Sequence, residues 1–436
     1  SLATARDSHF RPTFEAMASC SVREDWSERM GRFMTTTKAV KCGEALLVEA
    51  PSFLSPASDV DLKALINALC TPGSLDQEAS TSAGGLSLPW RLSLVIVQAM
   101  VEHPDSLAVR MLDDLGNELA RWKDIAERFW RSLKEDVQAK LEKQRVLSAF
   151  AAVAMNSHFT QGGRAGLFAA GSLAEHSCAP NAFQEVTLVG EEGSAGELLL
   201  IFRALRDLRE GEAVSISYVP EYSPTWKRRA LLQAGYGFLC NCPRCSEKEE
   251  LVCAYVCPWC GDGPCSPLKP LSQVSEAGTV DVGNCCNTSP PKVLALKCEE
   301  CDSTVEDPLD LEAINRAESC ETFCDDCTPY LHPSHYKIFG SYVNSLDRMQ
   351  CQQRVVAFGQ MEDAMRRLAS SSGCCHPSLG QYAELSGIAH AELRNREGAA
   401  ESFQRALDMY AVTHAGPPDG GLRVRRCQAR LTKVLQ

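Results

Sequence analysis

The chain has 436 residues, which is more than one ordinary domain holds, so two or three structural units are expected. With 44% hydrophobic and 23% charged residues, it has the composition of a folded globular protein and not of a disordered one. Its net charge of -12 argues against a nucleic-acid-binding protein, because such a protein needs a basic face. The acidic excess fits a basic protein partner, although solubility alone is the simpler explanation.

Cysteine usage gives the first functional indication. The N-terminal residues show no apolar signal region, and the runs LSLVIVQAMV and VLSAFAAVAM are too short to span a bilayer. We therefore expect an intracellular protein that has no membrane partner. In that setting, closely spaced cysteines indicate zinc ligands before disulfides. Of the 22 cysteines, fourteen lie between residues 240 and 327.

The secondary structure is predicted in chain order. Residues 31–50 have the pattern of two short strands around a turn at Cys42–Glu44. A Ser/Thr/Gly-rich link then leads to residues 91–103 and 122–155, where apolar spacing of three and four predicts helices. Residues 197–219 return to strand character, with DLREGE as the predicted hairpin turn. From residue 331 the pattern is helical, and two amphipathic helices around Asn395–Gly398 have the form of a helical-hairpin repeat.

The segment YGFLCNCPRC contains three cysteines within six positions, Cys240, Cys242 and Cys245. Thiols at this spacing suit tetrahedral zinc, which requires a fourth ligand. Cys178, in the segment GSLAEHSCAPNAF, is the candidate for that ligand. The alternative is that the three cysteines are buried or oxidised and bind no metal.

Two C-x-x-C pairs follow in VCPWCGDG and LKCEECDS, and they predict a zinc ribbon with an unusually long separating loop. The four predicted ligands are Cys257, Cys260, Cys298 and Cys301.

A third zinc site is a weaker prediction, because the spacing of its ligands fits poorly. Its candidates are Cys320, Cys324 and Cys327 with His332 or His335.

The segments HSCAPN, GEAVSISY and RRALLQAGYGFLCNCPRC occur in an order and spacing that resemble the SET-domain protein-lysine methyltransferases. The chain is most similar in pattern to the SET-and-MYND (SMYD) group. The resemblance implies an α+β fold with a knotted β-rich SET core. An inserted helical region, a post-SET zinc loop, a cysteine-rich zinc module and an all-helical, TPR-like C-terminal lobe would complete it.

The same resemblance implies a division of the chain into six segments. These are a SET N-terminal segment (20–57), an inserted helical region (58–145), the SET core (146–219), the post-SET zinc loop (220–250), the cysteine-rich zinc module (251–330) and the helical C-terminal domain (331–436).

Two features depart from the SMYD pattern. Residues 52–145 contain a single cysteine, Cys70, so we expect no MYND zinc finger. In this the chain resembles SET proteins of the build of the apical-complex lysine methyltransferases of apicomplexan parasites. In the cofactor pocket, Phe33 replaces the second glycine of the family's Gly-x-Gly, and Glu175 replaces the asparagine before His-Ser-Cys. Both changes are expected to weaken cofactor binding.

The resemblance also assigns roles to individual residues. Tyr218 and Tyr236 would be the catalytic tyrosines of a narrow channel that receives the substrate lysine, whose amine must lose its proton and its water before it can react. Taken alone, these tyrosines would be read as core aromatics. The residues expected to bind S-adenosylmethionine are Arg32, Asn156, Glu175, His176 and Phe238.

The sequence therefore predicts an S-adenosylmethionine-dependent protein-lysine N-methyltransferase with zinc as its second cofactor. The rival prediction is a SET-fold zinc scaffold that has lost most or all turnover and serves as a protein-interaction module. The expected partners are a protein lysine substrate and a second copy bound through the helical C-terminal region. We expect a cytoplasmic or nuclear location, with cytoskeletal association as a further expectation, and no direct contact with nucleic acid.

Overall fold

The structure is a computed structural model that describes most of the chain. It covers residues 21–28, 31–75, 87–113, 115, 119–159, 164–189, 197–247, 249–261, 263–268, 290–320, 328–372, 375–414 and 422–436. Throughout these ranges, no helix combines the length and the apolar character that crossing a membrane would require.

The described strands form five small sheets, and most of them pair antiparallel. In sheet order these are β1–β2, β3–β9–β8, β4–β6–β5, β7–β10 and β11–β12–β13–β14. The strands are β1 Val22–Ser27, β2 Gly31–Thr36, β3 Ala45–Glu49, β4 Phe53–Leu54, β5 Ser157–Phe159, β6 Ala165–Leu167, β7 Glu175–His176, β8 Ala182–Val189, β9 Glu197–Ala204, β10 Ser215–Ile216, β11 Tyr255–Val256, β12 Pro264–Pro267, β13 Leu296–Cys298 and β14 Thr304–Val305.

The described helices lie between β4 and β5 and after β10. They are α1 Asp59–Leu69, α2 Leu88–Glu102, α3 Leu107–Met111, α4 Leu119–Ser132, α5 Glu135–Gln138, α6 Lys143–Asn156, α7 Thr225–Tyr236, α8 Pro243–Ser246, α9 Pro308–Ser319, α10 Tyr336–Ser345, α11 Cys351–Ser372, α12 Pro377–Glu392, α13 Arg396–Thr413 and α14 Leu422–Leu435. Single 3-10 turns occupy Gly171–Leu173, Thr328–Tyr330 and Leu346–Arg348.

The first core lies under the small sheets formed by β2, β3, β8 and β9, and its centre includes Met34, Leu47 and Phe202. The carboxylate of Glu49, at the end of β3, accepts hydrogen bonds from the backbone N–H groups of Ala170 (3.0 Å) and Gly171 (2.8 Å). Burial raises the pKa of Glu49 to about 6, although these hydrogen bonds oppose the effect. Glu49 thereby anchors the turn that leads into β7.

A second core belongs to the helices between β4 and β5. Trp90 of α2, Phe129 of α4 and Phe150 of α6 meet ring to ring, with centroids 5.1 to 5.9 Å apart. Sequence periodicity predicted helices over 91–103 and 122–155, and both regions are helical. The second region is divided by breaks at 133–134 and 139–142, because the chain turns there to pack α4 against α6.

The C-terminal half joins the cysteine-rich sheet to a helical lobe. A core that includes Tyr255, Leu296 and Leu368 connects the strands β11–β14 with α10, α11 and α12. Helices α11, α12, α13 and α14 then pack as successive neighbours. The predicted helical pair around Asn395–Gly398 is confirmed as α12 and α13, and Asn395 caps α13 through a hydrogen bond from Gly398 N–H (3.1 Å).

One predicted connection is wrong. The DLREGE turn does not join a hairpin, because β9 pairs with β8 and β3 whereas β10 pairs with β7 in another sheet. Two isolated β-bridges hold the turn against an earlier part of the chain, one between Leu208 and Val40 and the other between Ala213 and Thr35. Likewise, the strands predicted in residues 31–50 exist as β2 and β3, but each pairs with a partner elsewhere in the chain and not with the other.

Candidate functional site

The site is built around the parallel pairing of β7 with β10. Glu175 is in register with Ser215 and His176 with Ile216, so two segments about forty residues apart in sequence lie side by side. The chain after β10 continues to Tyr218, whose backbone N–H donates to Nδ1 of His176 (3.1 Å). The HSCAPN segment and the SISY segment are thus joined directly.

Four rings cluster beside this pairing. The centroids of Tyr218 and Tyr236 are 4.8 Å apart, and His176 lies 5.2 Å from Tyr218 and 5.8 Å from Phe238. The hydroxyl of Tyr218 donates to the carbonyl of Ala174 (2.5 Å), which fixes its direction. Both predicted catalytic tyrosines and two of the predicted cofactor residues are therefore brought together.

Tyr236 is the last residue of helix α7, and Phe238 follows the C-terminal cap residue of that helix. Gly237 between them has φ +82°, a left-handed conformation that glycine adopts at low cost. A Cβ at this position would also lie 2.4 Å from Nη2 of Arg121. The YGF sequence is therefore required locally by the turn that positions both rings.

The ring of His176 is fully engaged. Because its Nδ1 accepts the Tyr218 N–H, its proton lies on Nε2, which is 3.3 Å from the sulfur of Cys178. Burial lowers the pKa of His176 to about 4, so the ring is neutral at pH 7. Only its face and its backbone remain for a ligand.

The two tyrosines are neutral groups in a buried setting. Burial raises the pKa of Tyr218 well above its ordinary value, and the nearby Tyr236 hydroxyl and Glu175 carboxylate raise it further. Burial also raises the pKa of Tyr236. Both hydroxyls can therefore donate hydrogen bonds at pH 7, and neither acts as a base there.

Arg32 and Asn156 lie on other elements. Arg32, in β2, forms an ion pair with Glu24 (3.5 Å) and is partly exposed. Asn156 ends α6, and its amide donates to the carbonyl of Ala152 (2.9 Å). Phe33 is 8% exposed, so its ring is packed within the protein. The aromatic contacts of the cluster do not include these three residues.

The first predicted zinc-ligand set assembles as expected. The sulfur atoms of Cys178, Cys240, Cys242 and Cys245 all lie within 4.8 Å of one another. Hydrogen bonds from Cys178 and Cys240 lower the pKa of Cys245 to about 6 and also lower that of Cys242. The pKa values of Cys178 and Cys240 are raised within the same hydrogen-bonded group, so the spacing of the four sulfur atoms, and not their acidity, is what suits zinc.

Two buried arginines, which sequence reasoning missed, surround this cluster. Arg228 is fully buried with a guanidinium nitrogen 3.7 Å from the sulfur of Cys245, and Arg244 donates to the carbonyl of Cys178 (3.1 Å). Because zinc on four thiolates carries a net negative charge, two neighbouring guanidinium groups fit an occupied site. The arginines of WKRRALLQAG and CPRC, close to the cysteine run, were the available signal.

The second predicted ligand set also comes together, on two turns of the β11–β14 sheet. The Cys257–Cys301 and Cys260–Cys298 sulfur pairs are each 3.8 Å apart. Tetrahedral ligands at a Zn–S distance of about 2.3 Å would be separated by about 3.8 Å. Backbone N–H groups of Trp259 and Cys301 point at cluster sulfurs (3.4 and 3.5 Å), so this set also can hold zinc.

The third predicted zinc site is not tested by the structure. Cys324 and Cys327 lie outside the described residues, and His335 groups instead with Cys253 and Glu318, all buried and within 4.8 Å. His335 Nδ1 accepts the N–H of Lys337 (3.2 Å), which leaves the proton on Nε2, 3.2 Å from Glu318. A metal on Nε2 would require the other tautomer, so this group fits a hydrogen-bonded network better than a metal.

A groove opens between the SET segment and the helical lobe. Its volume is about 530 Å³, and Ser217 and Val219, the chain neighbours of Tyr218, form part of its wall. Phe339 and Tyr382 of the helical lobe line the other side, with ring centroids 6.0 Å apart. The groove is large enough for an extended peptide segment.

Comparison with known proteins agrees with this geometry. Residues 31–219 match the family model described as SET domain. Over 81 residues the chain is 42% identical to the Arabidopsis thaliana "Histone-lysine N-methyltransferase ATXR2", which covers 19% of this chain and 16% of that protein. Over 177 residues it is 28% identical to the Mus musculus "Histone-lysine N-methyltransferase SMYD3", covering 36% and 39%.

A solved structure, "Crystal structure of the SET domain of LSMT bound to Lysine and AdoHcy", is 14% identical to this chain. It covers 52% of this chain and 55% of its own, with a TM-score of 0.35. The curated relatives match over less than half of their own length. Residues 31–219, which contain the paired strands β7 and β10 and Tyr218, therefore match the SET domain.

Proposed function

We propose that the protein is an S-adenosylmethionine-dependent protein-lysine N-methyltransferase. The observation that carries the proposal is the half-buried pair of Tyr218 and Tyr236, with ring centroids 4.8 Å apart, of which Tyr218 lies within the segment 31–219 that matches the SET domain. Relatives named as lysine methyltransferases support the reaction class. The protein substrate would enter through the groove between the SET segment and the helical lobe.

The tyrosines would act on the substrate amine. A lysine must be neutral to attack a methyl group, and its ordinary pKa is about 10.4, so the channel must favour the uncharged form. A buried setting does this by removing water from the ammonium group. The neutral hydroxyls of Tyr218 and Tyr236 would hold and orient the amine, and fixed orientation removes several kcal/mol from a barrier.

The cofactor would lie beside the same cluster. S-adenosylmethionine, when bound, supplies the activated methyl group. Phe238, 36% exposed, offers a ring face for the adenine, and His176 offers its face and backbone. Arg32 would pair with the cofactor carboxylate in place of Glu24, and Glu175 would accept from its ammonium group. Asn156 is proposed as a further contact, on the resemblance alone.

Zinc would have a structural role at both cysteine sets. The first set joins Cys178, which follows β7, to the loop after α7, so zinc there would hold Tyr218 and Tyr236 in register. The second would close the β11–β14 sheet. No substrate coordination is assigned to either metal.

A second candidate is a SET-fold scaffold with weak or no turnover. Glu175 favours it, since its charge lies near Tyr218 and near the place proposed for the cofactor carboxylate. The packed ring of Phe33 favours it too, because bulk replaces the glycine that would allow close approach to a ligand.

The test combines binding and turnover. S-adenosylmethionine is titrated into the zinc-loaded protein by calorimetry, and methyl transfer from labelled cofactor to a pool of lysine-containing peptides and proteins is measured. The proposal requires saturable binding and label on lysine. Binding without transfer to any pool member, at every protein concentration tried, would establish the scaffold instead. A nuclear or cytoplasmic location and a homodimer through the helical lobe remain predictions.

A further inference from the structure

A fifth thiol lies beside the second cysteine set. Cys265, in β12, is 0% exposed and shares the core of the β11–β14 sheet with Cys257 and Cys298. Its thiol interacts with the sulfur atoms of both of these cysteines. Four thiolates complete the tetrahedron of a structural zinc ion, so Cys265 is not needed as a ligand. Its position relative to Cys298 indicates another role.

The register of the sheet places Cys265 directly opposite Cys298. Strands β12 and β13 run antiparallel, and these two cysteines are partners in the ladder. The neighbouring pair is hydrogen-bonded, because Glu299 N–H donates to Pro264 O (3.1 Å), whereas Cys298 N–H donates to Ser303 O (3.0 Å) on the other side. Hydrogen-bonded and non-hydrogen-bonded pairs alternate along an antiparallel ladder, so Cys265 and Cys298 form a non-hydrogen-bonded pair.

Such a pair has the spacing of a disulfide. Opposed residues in a non-hydrogen-bonded pair have Cα atoms about 4.5 Å apart and side chains on the same face, and disulfides span Cα separations of about 4.4 to 6.8 Å. The sulfur of Cys298 lies close to β12, because a Cβ on Gly263, two residues before Cys265, would be 2.7 Å from it. A bond between the two sulfurs therefore requires no change of register.

An oxidant can reach this set through its other members. Cys260 and Cys301 are exposed, whereas Cys265 and Cys298 are buried. Cys301 shares a C-x-x-C pair with Cys298, so a change at the exposed sulfur can pass to the buried one by exchange between neighbouring thiols.

We propose that Cys265 is the partner thiol of an oxidative modification at this set, in which a peroxide converts Cys265 and Cys298 to a disulfide. The peroxide oxidises the Cys301 thiolate to a sulfenic acid, and the Cys298 thiolate then bonds to that sulfur and expels hydroxide. Cys265 displaces Cys301 from Cys298 and passes its proton to the departing sulfur. Two sulfurs together lose two electrons, and the peroxide, with protons from solvent, becomes two molecules of water.

The disulfide would remove a ligand from the metal. A cysteine in a disulfide has no thiolate to offer, so the set of four would fall to three and zinc would be released. The inference rests on the proposal that this set holds zinc, and it adds that oxidation empties the site. Because both sulfurs are buried, glutathione should reduce the disulfide slowly.

Disulfide mapping on the full chain tests the inference. The zinc content of the untreated protein is measured first. The protein is then treated with hydrogen peroxide while a zinc-sensitive dye reports released metal, and after alkylation of the remaining thiols the linked peptides are identified by mass spectrometry without reduction. We expect the Cys265–Cys298 link as the main product at Cys298, together with the loss of one zinc ion per chain.

Cys265→Ala is the informative variant. It should hold as much zinc as the parent before oxidation, and peroxide should give a Cys298–Cys301 link in its place. Because Cys301 is exposed, the oxidised variant should rebind zinc in reduced glutathione at least about threefold faster than the oxidised parent. Cys427→Ala, which removes a fully buried cysteine from a core of the helical lobe, should behave as the parent does.

The result in the parent is decisive whether or not the variant folds. The inference is overturned if Cys298 of the oxidised parent links to Cys301 or Cys260 and not to Cys265, or if Cys265→Ala rebinds zinc no faster than the parent. Loss of zinc from Cys265→Ala before oxidation would also overturn it, because Cys265 would then be a ligand. An untreated parent that lacks the second zinc ion contradicts the zinc proposal alone, and the link formed in the zinc-free chain then decides the inference.

Discussion

At the scale of single residues, Tyr218 is held in one orientation by three neighbours. Its hydroxyl donates to Ala174 O, its backbone N–H donates to His176, and its ring lies against Tyr236. A hydroxyl fixed in this way can orient an incoming amine without reorganising.

Tyr218→Phe should therefore separate catalysis from folding. The variant loses one hydroxyl and opens no cavity, so we expect a stability loss of about 1 kcal/mol for the Ala174 hydrogen bond. Cofactor affinity should be unchanged, and methyl transfer should fall by about 100-fold, as for loss of one positioned hydrogen-bonding group. Turnover on a peptide pool and cofactor titration measure the two effects. Transfer at the parent's rate would show that Tyr218 is not catalytic.

Glu175 lies beside the same tyrosine. Its carboxylate contributes to the raised pKa of Tyr218 and would stand near the cofactor's own carboxylate. Glu175→Asn keeps an acceptor and removes the charge. It should tighten S-adenosylmethionine binding and leave the melting temperature within a degree or two. Calorimetry decides: weaker binding would show that Glu175 is the main anchor of the ammonium group.

At the scale of elements, the two cysteine sets have different neighbours. Cys178 receives the Nε2–H of His176, which in turn holds Tyr218, so the first set is one hydrogen bond away from the ring cluster. The second set joins β11–β14, and its core faces the helical lobe.

This difference predicts distinct results for Cys178→Ser and Cys298→Ser. Each should lower the zinc content from two ions per chain to one. Cys178→Ser should also reduce methyl transfer by more than 10-fold, because the tyrosines lose their register. Cys298→Ser should retain transfer within severalfold, and so it is the matched control. Metal analysis that finds one zinc or none in the parent would contradict the assignment of both sets.

At the scale of the whole molecule, the helical lobe is tied to the SET segment by buried polar pairs. Glu185 of β8 pairs with Arg423 of α14, and its other oxygen lies 3.6 Å from Nε2 of His414. Tyr222 O–H donates to Ser334 O (2.5 Å). Gly43 approaches α13 so closely that a Cβ there would meet Val412 O at 1.7 Å.

The Glu185 cluster should make stability depend on pH. Burial alone would raise the pKa of Glu185, but the neighbouring His414 and the charge of Arg423 outweigh it and hold the pKa below the ordinary 4.5. The stabilisation is therefore present above pH 4.5 and lost as the pH falls through the lower pKa of the folded state. Glu185→Gln should cost about 3 kcal/mol at pH 7 and should flatten the acid limb of the stability curve.

Thermal melts between pH 3 and pH 7 test this expectation. Asp207→Asn is the control, because Asp207 forms an exposed pair with Lys41 (2.6 Å) and its loss should change the stability little. Acid limbs of equal slope in the parent and Glu185→Gln would rule out a stabilising role for this cluster.

The sequence by itself determined the chemistry-bearing segments. Cysteine spacing predicted both four-thiol groups. Structural zinc needs four ligands in a tetrahedron, and closely spaced cysteines supply two or three of them from one segment. The order of HSCAPN, SISY and YGF, read as a resemblance, predicted that Tyr218, Tyr236, His176 and Phe238 share one site, and their rings do lie together. Apolar periodicity predicted most helices, since a packed helix must bury one face.

Only the tertiary structure decided what these segments pair with. Strands of two or three residues carry no signal for their partners, which is why the β9–β10 hairpin was predicted wrongly and the parallel β7–β10 pairing was not foreseen. The tautomers of His176 and His335 depend on which backbone N–H reaches each ring. The burial of Arg228 beside Cys245 likewise depends on how α7 packs against the loop that carries the cysteines. A contact between two single side chains leaves no repeating pattern in the sequence, so the sequence alone could not reveal these contacts.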